Sequence, residues 1–474
     1  MSLPTEPTEK LLPDEQQNTL QNEISPVSPS QEQPAQKAGA GGLLAPLRVR
    51  NFRLLFGGQL ISTIGDAFYA VALPWLVLTN GGSAQELGII LSAYGIPRIG
   101  SVLLGGVLSD RLRPRRVMLL ADAVRAVLVG ILAVLALVGH PALWQLLLVA
   151  IPLGTFEGLF LPASSAMLPE VLEDKDLQAG NALNTSSLQL ASLIGSGTGG
   201  VIVATLQSGA ALVIDAISFV ASALSLLLIR GRSQSTRQAA SQEPQVELVA
   251  EGMRTMAELV PNEQPIEITE EAEQQKQASE QPMTFWKFVR TSQVMQAAFL
   301  VSLFANITFG GLLEVALPSL AHGPFAAGAG GYGAILAAFG AGALLGGIVT
   351  GMLGNIPHRG TFALGVAILQ AIAVALIPYG GLAGAIVCMA AMGIFNSVTN
   401  VIFITIIQQI IPRHLLGRVM GAFMFASFGS YPLSVAIVGT IVVRLGPAII
   451  FPISGAVLGI AVVFGLFQKQ LREL

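Results

Sequence analysis

Leu104-Gly105-Gly106-Val107-Leu108-Ser109-Asp110-Arg111-Leu112-Arg113-Pro114-Arg115-Arg116 separates two long apolar runs. A charged stretch this short, flanked in this way, is a tight loop between two membrane-spanning helices. Arg111, Arg113, Arg115 and Arg116 fall within six residues, which places the loop on the cytoplasmic side, because positively charged loops stay inside. Gly105 and Gly106 allow two helices to approach closely just before it. Pro114 suits the first position of the following helix. Asp110 is the odd residue. It falls at the C-terminal end of its own helix, where the macrodipole disfavours an anion. It needs compensation, from the arginines or from the N-terminus of another helix. A loop that ties its own helix end to a second helix can act as a latch.

Composition points the same way. Of 474 residues, 53% are hydrophobic and 11% charged, and the mean hydropathy is +0.68. Soluble domains carry about 25% charged residues, so this is an integral membrane protein. The net charge of −3 says little, since the charges sit in tails and loops. The single Cys388 excludes an internal disulfide. Residues 1–47 are rich in Pro, Gln, Glu and Ser and cannot bury a core; a disordered cytoplasmic tail is expected. The tail has no apolar h-region, so no cleaved signal peptide is expected, and the first transmembrane helix is expected to direct insertion.

A spanning helix needs roughly 20 apolar residues. Twelve such runs can be counted, near 53–79, 87–111, 115–138, 142–166, 182–206, 210–230, 293–320, 331–354, 361–379, 382–408, 417–443 and 446–468. They divide the chain into an N-terminal bundle (48–230), a C-terminal bundle (291–474) and, between them, an acidic, Gln-rich linker (231–290). The linker is expected to be mostly disordered, with a short amphipathic helix around Val246–Leu259. Lys and Arg crowd one side: Arg48, Arg50, Arg53, the Arg111–Arg116 loop, Arg230, Arg232, Lys287, Arg290, Arg359, Arg413, Arg418, Lys469 and Arg472. Arg444 stands on the other. Both termini and the linker are therefore expected in the cytoplasm of a plasma (inner) membrane protein. Trp75 and Trp144 fall near outer helix ends, as interfacial anchors do.

The halves repeat. Val71-Ala72-Leu73-Pro74 recurs as Val315-Ala316-Leu317-Pro318, and Leu104-Gly105-Gly106 recurs as Leu345-Gly346-Gly347, at offsets of 244 and 241. Pro357-His358-Arg359 echoes Pro114-Arg115-Arg116, while Gly351 stands where the first copy has Asp110. Two halves of like orientation make a parallel repeat, with a site expected at midplane between them.

The opening stretch resembles the signature loop between helices 2 and 3 of the major facilitator superfamily of transporters. Gly106, Asp110, Arg111, Arg115 and Arg116 carry the match. Arg113-Pro114 stands where that family usually has Gly-Arg. The resemblance implies an all-α integral membrane fold of twelve transmembrane helices in two parallel six-helix repeats. It also implies a latch of Asp110 and its arginines against the start of helix 11, near Leu416, Gly417 and Arg418, holding the outward-facing state. Leu177-Gln178-Ala179-Gly180-Asn181-Ala182-Leu183 and Leu416-Gly417-Arg418-Val419-Met420 are similar to loops of one exporter branch, which contains macrolide-efflux and siderophore-export proteins. Ser62-Thr63-Ile64-Gly65-Asp66, with Arg125, is similar to that branch too. Gly195-Ser196-Gly197-Thr198-Gly199-Gly200 resembles the helix-5 motif of antiporters, with Ser196 where proline would stand; close helix packing by Gly195, Gly199 and Gly200 is the alternative.

Ionisable groups inside a bilayer are costly and so mark function. Asp66 lies about 13 residues, roughly 20 Å, into helix 1, near midplane. It either alternates between protonated and ionised states as access switches sides, or packs helices against a neighbour. Arg98, after the helix-kinking Pro97, lies at similar depth and is the expected partner of Asp66, as an exchangeable pair or a permanent salt bridge. Glu157, inside helix 4, is the second candidate for proton coupling or for a cationic substrate. Asp122 and Arg125 are three apart on helix 3 and can pair on one face, as structure or as part of the latch. Asp215 and Glu314 read as carboxylates near outer helix ends; Glu314 is either solvated or part of an outer gate. Asn306, Asn396 and Asn400 are polar points of the C-terminal half, in the site or at helix contacts.

No GxxxxGK[ST] phosphate loop is present, so no ATP-driven motor. No HExxH or paired Cys-His set offers a metal site, and no basic aromatic patch suggests nucleic acid. The expectation is a monomeric secondary transporter, not an enzyme, with the proton gradient in place of a cofactor and the lipid bilayer as its setting. Few intramembrane charges predict a mostly apolar cavity for an amphipathic small molecule, drug-like, macrolide-like or siderophore-like. Export by proton antiport rests on the resemblance. An importer or facilitator of a small metabolite, and a non-transporting membrane sensor or scaffold, are the alternatives.

Overall fold

The structure, a computed structural model, describes residues 44–229, 293–352, 359–411 and 413–466. The 1–43 tail, the whole linker with its Val246–Leu259 segment, and the basic residues Arg230, Arg232, Lys287, Arg290, Lys469 and Arg472 lie outside the described residues, as do the side-chain surroundings of Asp110, Gly417 and Arg418.

Among the described residues every regular element is helical. A 3₁₀ turn, Ala45–Arg48, comes first, so the end of the segment expected to be disordered is ordered; the first four α-helices are α1 (Arg50–Thr79), α2 (Ala84–Leu112), α3 (Pro114–Val138) and α4 (Leu143–Val171). Ser83 starts α2 with a capping box: its hydroxyl accepts from the Glu86 N–H while its own N–H donates to the Glu86 carboxylate. The next run, Asp174–Leu228, has 55 residues. As one helix it would be about 80 Å long, well over twice the roughly 30 Å hydrocarbon core of a bilayer. It breaks at Gln207, whose φ of 67° and ψ of 169° are non-helical. The run is therefore two helices, α5 (174–206) and α6 (208–228), which reverse direction through one residue.

The second half starts with α7 (Gln293–Gly311), which continues through a π-type turn at Leu312–Ala316 into Leu317–His322. Then come α8 (Gly328–Met352), α9 (Arg359–Leu376, ending in a 3₁₀ turn at Ile377–Tyr379), α10 (Gly381–Ile410), α11 (Arg413–Leu445) and α12 (Ile450–Leu466). Among the described residues ten stretches are long and apolar enough to cross a membrane, with the undivided Lys175–Leu228 as one of them; Ile450–Phe464 is a shorter apolar helix. The helices follow the order of the apolar runs in the sequence.

Packing repeats between halves. Helix α2 lies on α4 as α8 lies on α10. A Cβ at Gly154 or Gly158 would strike the backbone of Tyr94 or Arg98, and a Cβ at Gly342 or Gly393 that of Ala390 or Phe339. The repeated tetrapeptides, Val71–Pro74 and Val315–Pro318, are both buried, and their Val, Ala and Leu residues share one core. Between halves, α2 meets α11 and α8 meets the α5–α6 run. These crossings sit on the side away from the Arg111–Arg116 loop. Gly200 and Gly333 face each other across α5 and α8, and Gly88 and Gly439 admit the α11 and α2 backbones. The Ser92 hydroxyl donates to Pro432 O at 2.9 Å, and the rings of Trp75 and His322 meet edge to face at 5.3 Å. Trp75 is thus a contact between halves, not the interfacial anchor expected. Trp144, 65% exposed, fits that role. On the loop side, Gly100 and Gly106 of α2, Gly351 of α8 and Gly421 and Gly429 of α11 face open space. The closest crossings of the halves lie at the end away from the loop.

Candidate functional site

A cavity of about 230 Å³ lies midway along the helices, mostly within the N-terminal half and bordered on the other side by Glu314 and Tyr431 of the C-terminal half. Its walls carry Asp66 and Tyr69 from α1, Tyr94 and Arg98 from α2, Arg125 from α3, Glu157 from α4, Asp215 and Phe219 from α6, Glu314 from α7 and Tyr431 from α11. Leu73, Leu91, Val129 and Leu153 fill the gaps. The cavity predicted as mostly apolar therefore holds four carboxyls and two guanidiniums. The chain has few intramembrane charges, but they converge on one place.

The pairing differs from the expectation. Arg98 does not reach Asp66; its Nη2 lies 3.0 Å from Glu157 Oε1. Asp66 is held instead by Arg125, whose Nη2 donates to Asp66 Oδ1 at 2.6 Å and lies 4.0 Å from Glu157 Oε2. The Tyr94 hydroxyl donates to Glu157 Oε2. Asp66, Arg125, Glu157 and Arg98 thus alternate in sign along one chain across four helices. Stacking fixes both cations: Arg125 lies 4.1 Å from the Phe219 ring centroid and 5.7 Å from that of Phe160, and Arg98 lies 5.0 Å from Phe428 and 5.7 Å from Tyr94. Arg125 is 4% exposed and Asp66 43%, so Asp66 is the member of the pair that water in the cavity can reach.

Arg125 does not pair with Asp122 and is not part of a loop latch. Asp122 is fully buried and accepts from the Ser222 hydroxyl at 2.6 Å. Asp215, read as a solvated helix-end group, is 1% exposed; it accepts at Oδ1 from Ser218 at 3.3 Å, and its Oδ2 has no hydrogen-bond partner. Glu314, read as an outer-end group, lines the cavity, where the Tyr431 hydroxyl donates to it. Asn306 donates to Ser302 O one turn back, at 2.8 Å, and is absent from the cavity wall. Arg115 of the predicted latch caps α6, donating to Leu226 O and Leu227 O at 2.8 Å each; the neighbouring Arg111 and Arg116 are exposed. In α5, Gly195 and Gly199 pack on α1 and Gly200 on Gly333 of α8, which favours the close-packing reading of that motif.

Glu314 reaches the cavity because of its backbone. Ser434 of α11 is fully buried. Its hydroxyl accepts from Gly311 N–H at 2.7 Å and donates to Ile307 O, the two groups that would otherwise bond i to i−4 within α7. The inserted hydroxyl opens that turn, and the π-type turn Leu312–Ala316 follows, as insertions into the ladder commonly cause. The repeat offered a signal that sequence reasoning passed over. The 244-residue offset makes Glu314 the mate of Ala70, and both line the cavity.

Comparison with known proteins adds a second line. A family model described as Major Facilitator Superfamily matches residues 55–435. The chain is 24% identical over 432 residues to the multidrug efflux pump Tap of Mycolicibacterium fortuitum, covering 89% of this chain and 96% of that protein. It is 23% identical over 426 residues to the enterobactin exporter EntS of Citrobacter koseri, covering 89% and 92%. Among solved structures, a POT family transporter in complex with a thioalcohol-conjugated peptide superposes with a TM-score of 0.64 at 15% identity, covering 89% of this chain and 96% of that one. The nucleoside transporter NupG does so with a TM-score of 0.64 at 13% identity, covering 88% and 99%. Likeness at that identity shows the fold alone.

Proposed function

The chain belongs to the Major Facilitator Superfamily, a multi-pass membrane transporter and not an enzyme, and on that premise we propose that it exports an amphipathic small molecule in exchange for protons. The observation that carries the reading is the charged cavity, closed off on one side where the halves cross; in this reading the loop side is the open one. Four carboxyls against two guanidiniums leave two negative charges uncompensated when all are ionised. Uncompensated buried charge is costly, so the empty cavity favours protons and the loaded one a cationic centre. Tyr69, Tyr94, Phe219 and Tyr431 offer ring faces to such a cargo. At about 230 Å³, the cavity falls below the roughly 300–1,000 Å³ of drug-sized sites; a bulky cargo would need the halves to part further.

Asp66 is the coupling group in this scheme. It is the more exposed partner of its pair, and a proton on its carboxyl would release Arg125 toward Glu157, already 4.0 Å away. Glu157 follows as second carrier. Export accords with the names of the efflux relatives. With both termini cytoplasmic, as the Arg-rich loop requires, the open side faces the cytoplasm and cargo enters from there. The test is accumulation of ethidium and a macrolide in pump-deficient bacteria expressing wild type or Asp66→Asn, with and without a protonophore. Wild-type cells should hold less compound, the protonophore should erase the difference, and Asp66→Asn should fail at equal membrane abundance. Export by Asp66→Asn at the wild-type rate would overturn Asp66 as carrier, and accumulation above the vector control would favour import.

A further inference from the structure

From Asp215 on the cavity wall a second polar feature runs away along α6. Past Ser208 at its start, helix α6 is apolar except for Asp215, Ser218, Ser222 and Ser225, spaced three, four and three apart, and so on one face. That face is buried against α1 and α3. A Cβ at Gly65 would lie 2.2 Å from Ser218 Oγ and 2.5 Å from Asp215 Oδ1, and one at Gly58 would lie 2.0 Å from Ser225 Oγ. Glycine on α1 is what lets the hydroxyls sit in the seam, with buried Ser62 between the two glycines. From α3, Asp122 accepts from Ser222. Asp122 and Asp215 are 0% and 1% exposed, form no salt bridge among the described residues, and each keeps one carboxyl oxygen without a partner. Two buried carboxyls joined by hydroxyls, without cations of their own, make a poor brace, because an ionised group there is expensive. They suit groups that hold and pass protons.

We propose that Asp215 and Asp122, linked by the serine face of α6, form a proton relay that exchanges a proton between the cavity and the buried Asp122 carboxyl. The proposal rests on the proton-coupled reading above. Asp122 passes its carboxyl proton to Ser222 Oγ as the Ser222 hydroxyl proton leaves toward Ser218. Ser218 accepts it and, swinging its hydroxyl from the Asp215 backbone oxygen to which it donates at 2.7 Å, gives its own to Asp215 Oδ1, 3.3 Å away. One proton moves and each serine ends neutral. The Ser218–Ser222 step rises about 6 Å along α6, a span that one bridging water closes. The groups facing Asp215 are Asp66 and Tyr69 of α1, Arg125 of α3, Glu157 of α4 and Glu314 of α7. Asp215 therefore delivers its proton within the electrostatic reach of the Asp66–Arg125 pair.

The test needs no substrate. Infrared difference spectra after a pH jump, on the purified full chain in liposomes, report protonated carboxyls by their C=O stretch. Asp215→Asn and Asp122→Asn should each delete one component of that band. In Ser222→Ala the Asp122 component should exchange with bulk about tenfold more slowly, the scale of one lost hydrogen bond, and Ser222→Thr should restore it. Asp215→Glu and thermal unfolding of every variant control for folding. An unchanged band in both Asp→Asn variants, or an unchanged rate in Ser222→Ala, would overturn the relay. If that happens while Asp66→Asn still abolishes export, the relay alone fails. If Asp66→Asn exports normally, the coupling role of Asp66 is what fails.

Discussion

Arg113 stands at the turn between α2 and α3 with φ at 71° and ψ at 131°. A side chain in that region costs roughly 1 kcal/mol or more, and glycine avoids the penalty. The similar family loops usually place glycine there, so the chain keeps a fourth loop arginine against a strained backbone. Arg113→Gly should raise the unfolding midpoint in detergent by about 1–3 °C, since relief of strain exceeds the added freedom of the unfolded chain. Arg113→Ala keeps a Cβ and should show no gain; equal midpoints for both variants would mean the turn is unstrained. Depth along a helix is legible in sequence, because a charge among apolar neighbours stands out. That is why Asp66, Arg98 and Glu157 were found. The direction in which a side chain leaves its helix is not legible in this way. Asp66 and Arg98 share a depth yet reach different partners, and Arg125 turns from Asp122 on its own helix to Asp66 on another. Asp215 was misplaced for a related reason. Helix α6 starts one residue after α5 ends, so Asp215 lies about 10 Å inside it and not at its rim.

Individual helices are bent to purpose by single polar contacts. Ser434 spreads one turn of α7 and so aims Glu314 at the cavity. Ser434→Ala removes the inserted hydroxyl and leaves Gly311 N–H and Ile307 O to find each other again. The turn should tighten toward α-helix and rotate Glu314 off Tyr431. The stability cost should be modest, about 1 kcal/mol, because the two freed groups are natural partners. Transport should fall much further than stability, and Glu314→Gln should add little on top of Ser434→Ala. Additive losses in the double variant would show that Ser434 and Glu314 act separately. Nothing in the local sequence of α7 announces this turn. Its cause is on α11, more than a hundred residues away. The serine face of α6 could have been read directly, since four polar residues at three- and four-residue spacing in an apolar helix must face another helix or water.

The whole molecule is organised by its repeat, and the repeat was visible in two short matches at nearly one offset. The fold followed from them, because two like-oriented halves leave a seam between them. Which end of the seam is closed did not follow from sequence. It depends on whether glycine pairs such as Gly200 and Gly333 touch, and both arrangements of the halves must be reachable by one sequence. The asymmetry gives a direct prediction. Ala70 lines the cavity one residue from Tyr69 and is exposed to it. In a Cys388→Ser background, which removes the single native thiol, Ala70→Cys should react with a charged, membrane-impermeant maleimide added on the side bearing the Arg111–Arg116 loop. It should be protected from the other side, where α2–α11 and α5–α8 close the seam. Inside-out and right-side-out vesicles separate the two. Gly200→Val, which forces a branched side chain against the Gly333 backbone, should pry the closed side apart and shift labelling toward the opposite face. Equal labelling from both faces in the Ala70→Cys protein would mean that the glycine crossings do not seal. Labelling confined to the face away from the loop would mean that the resting protein in a membrane has its seam reversed.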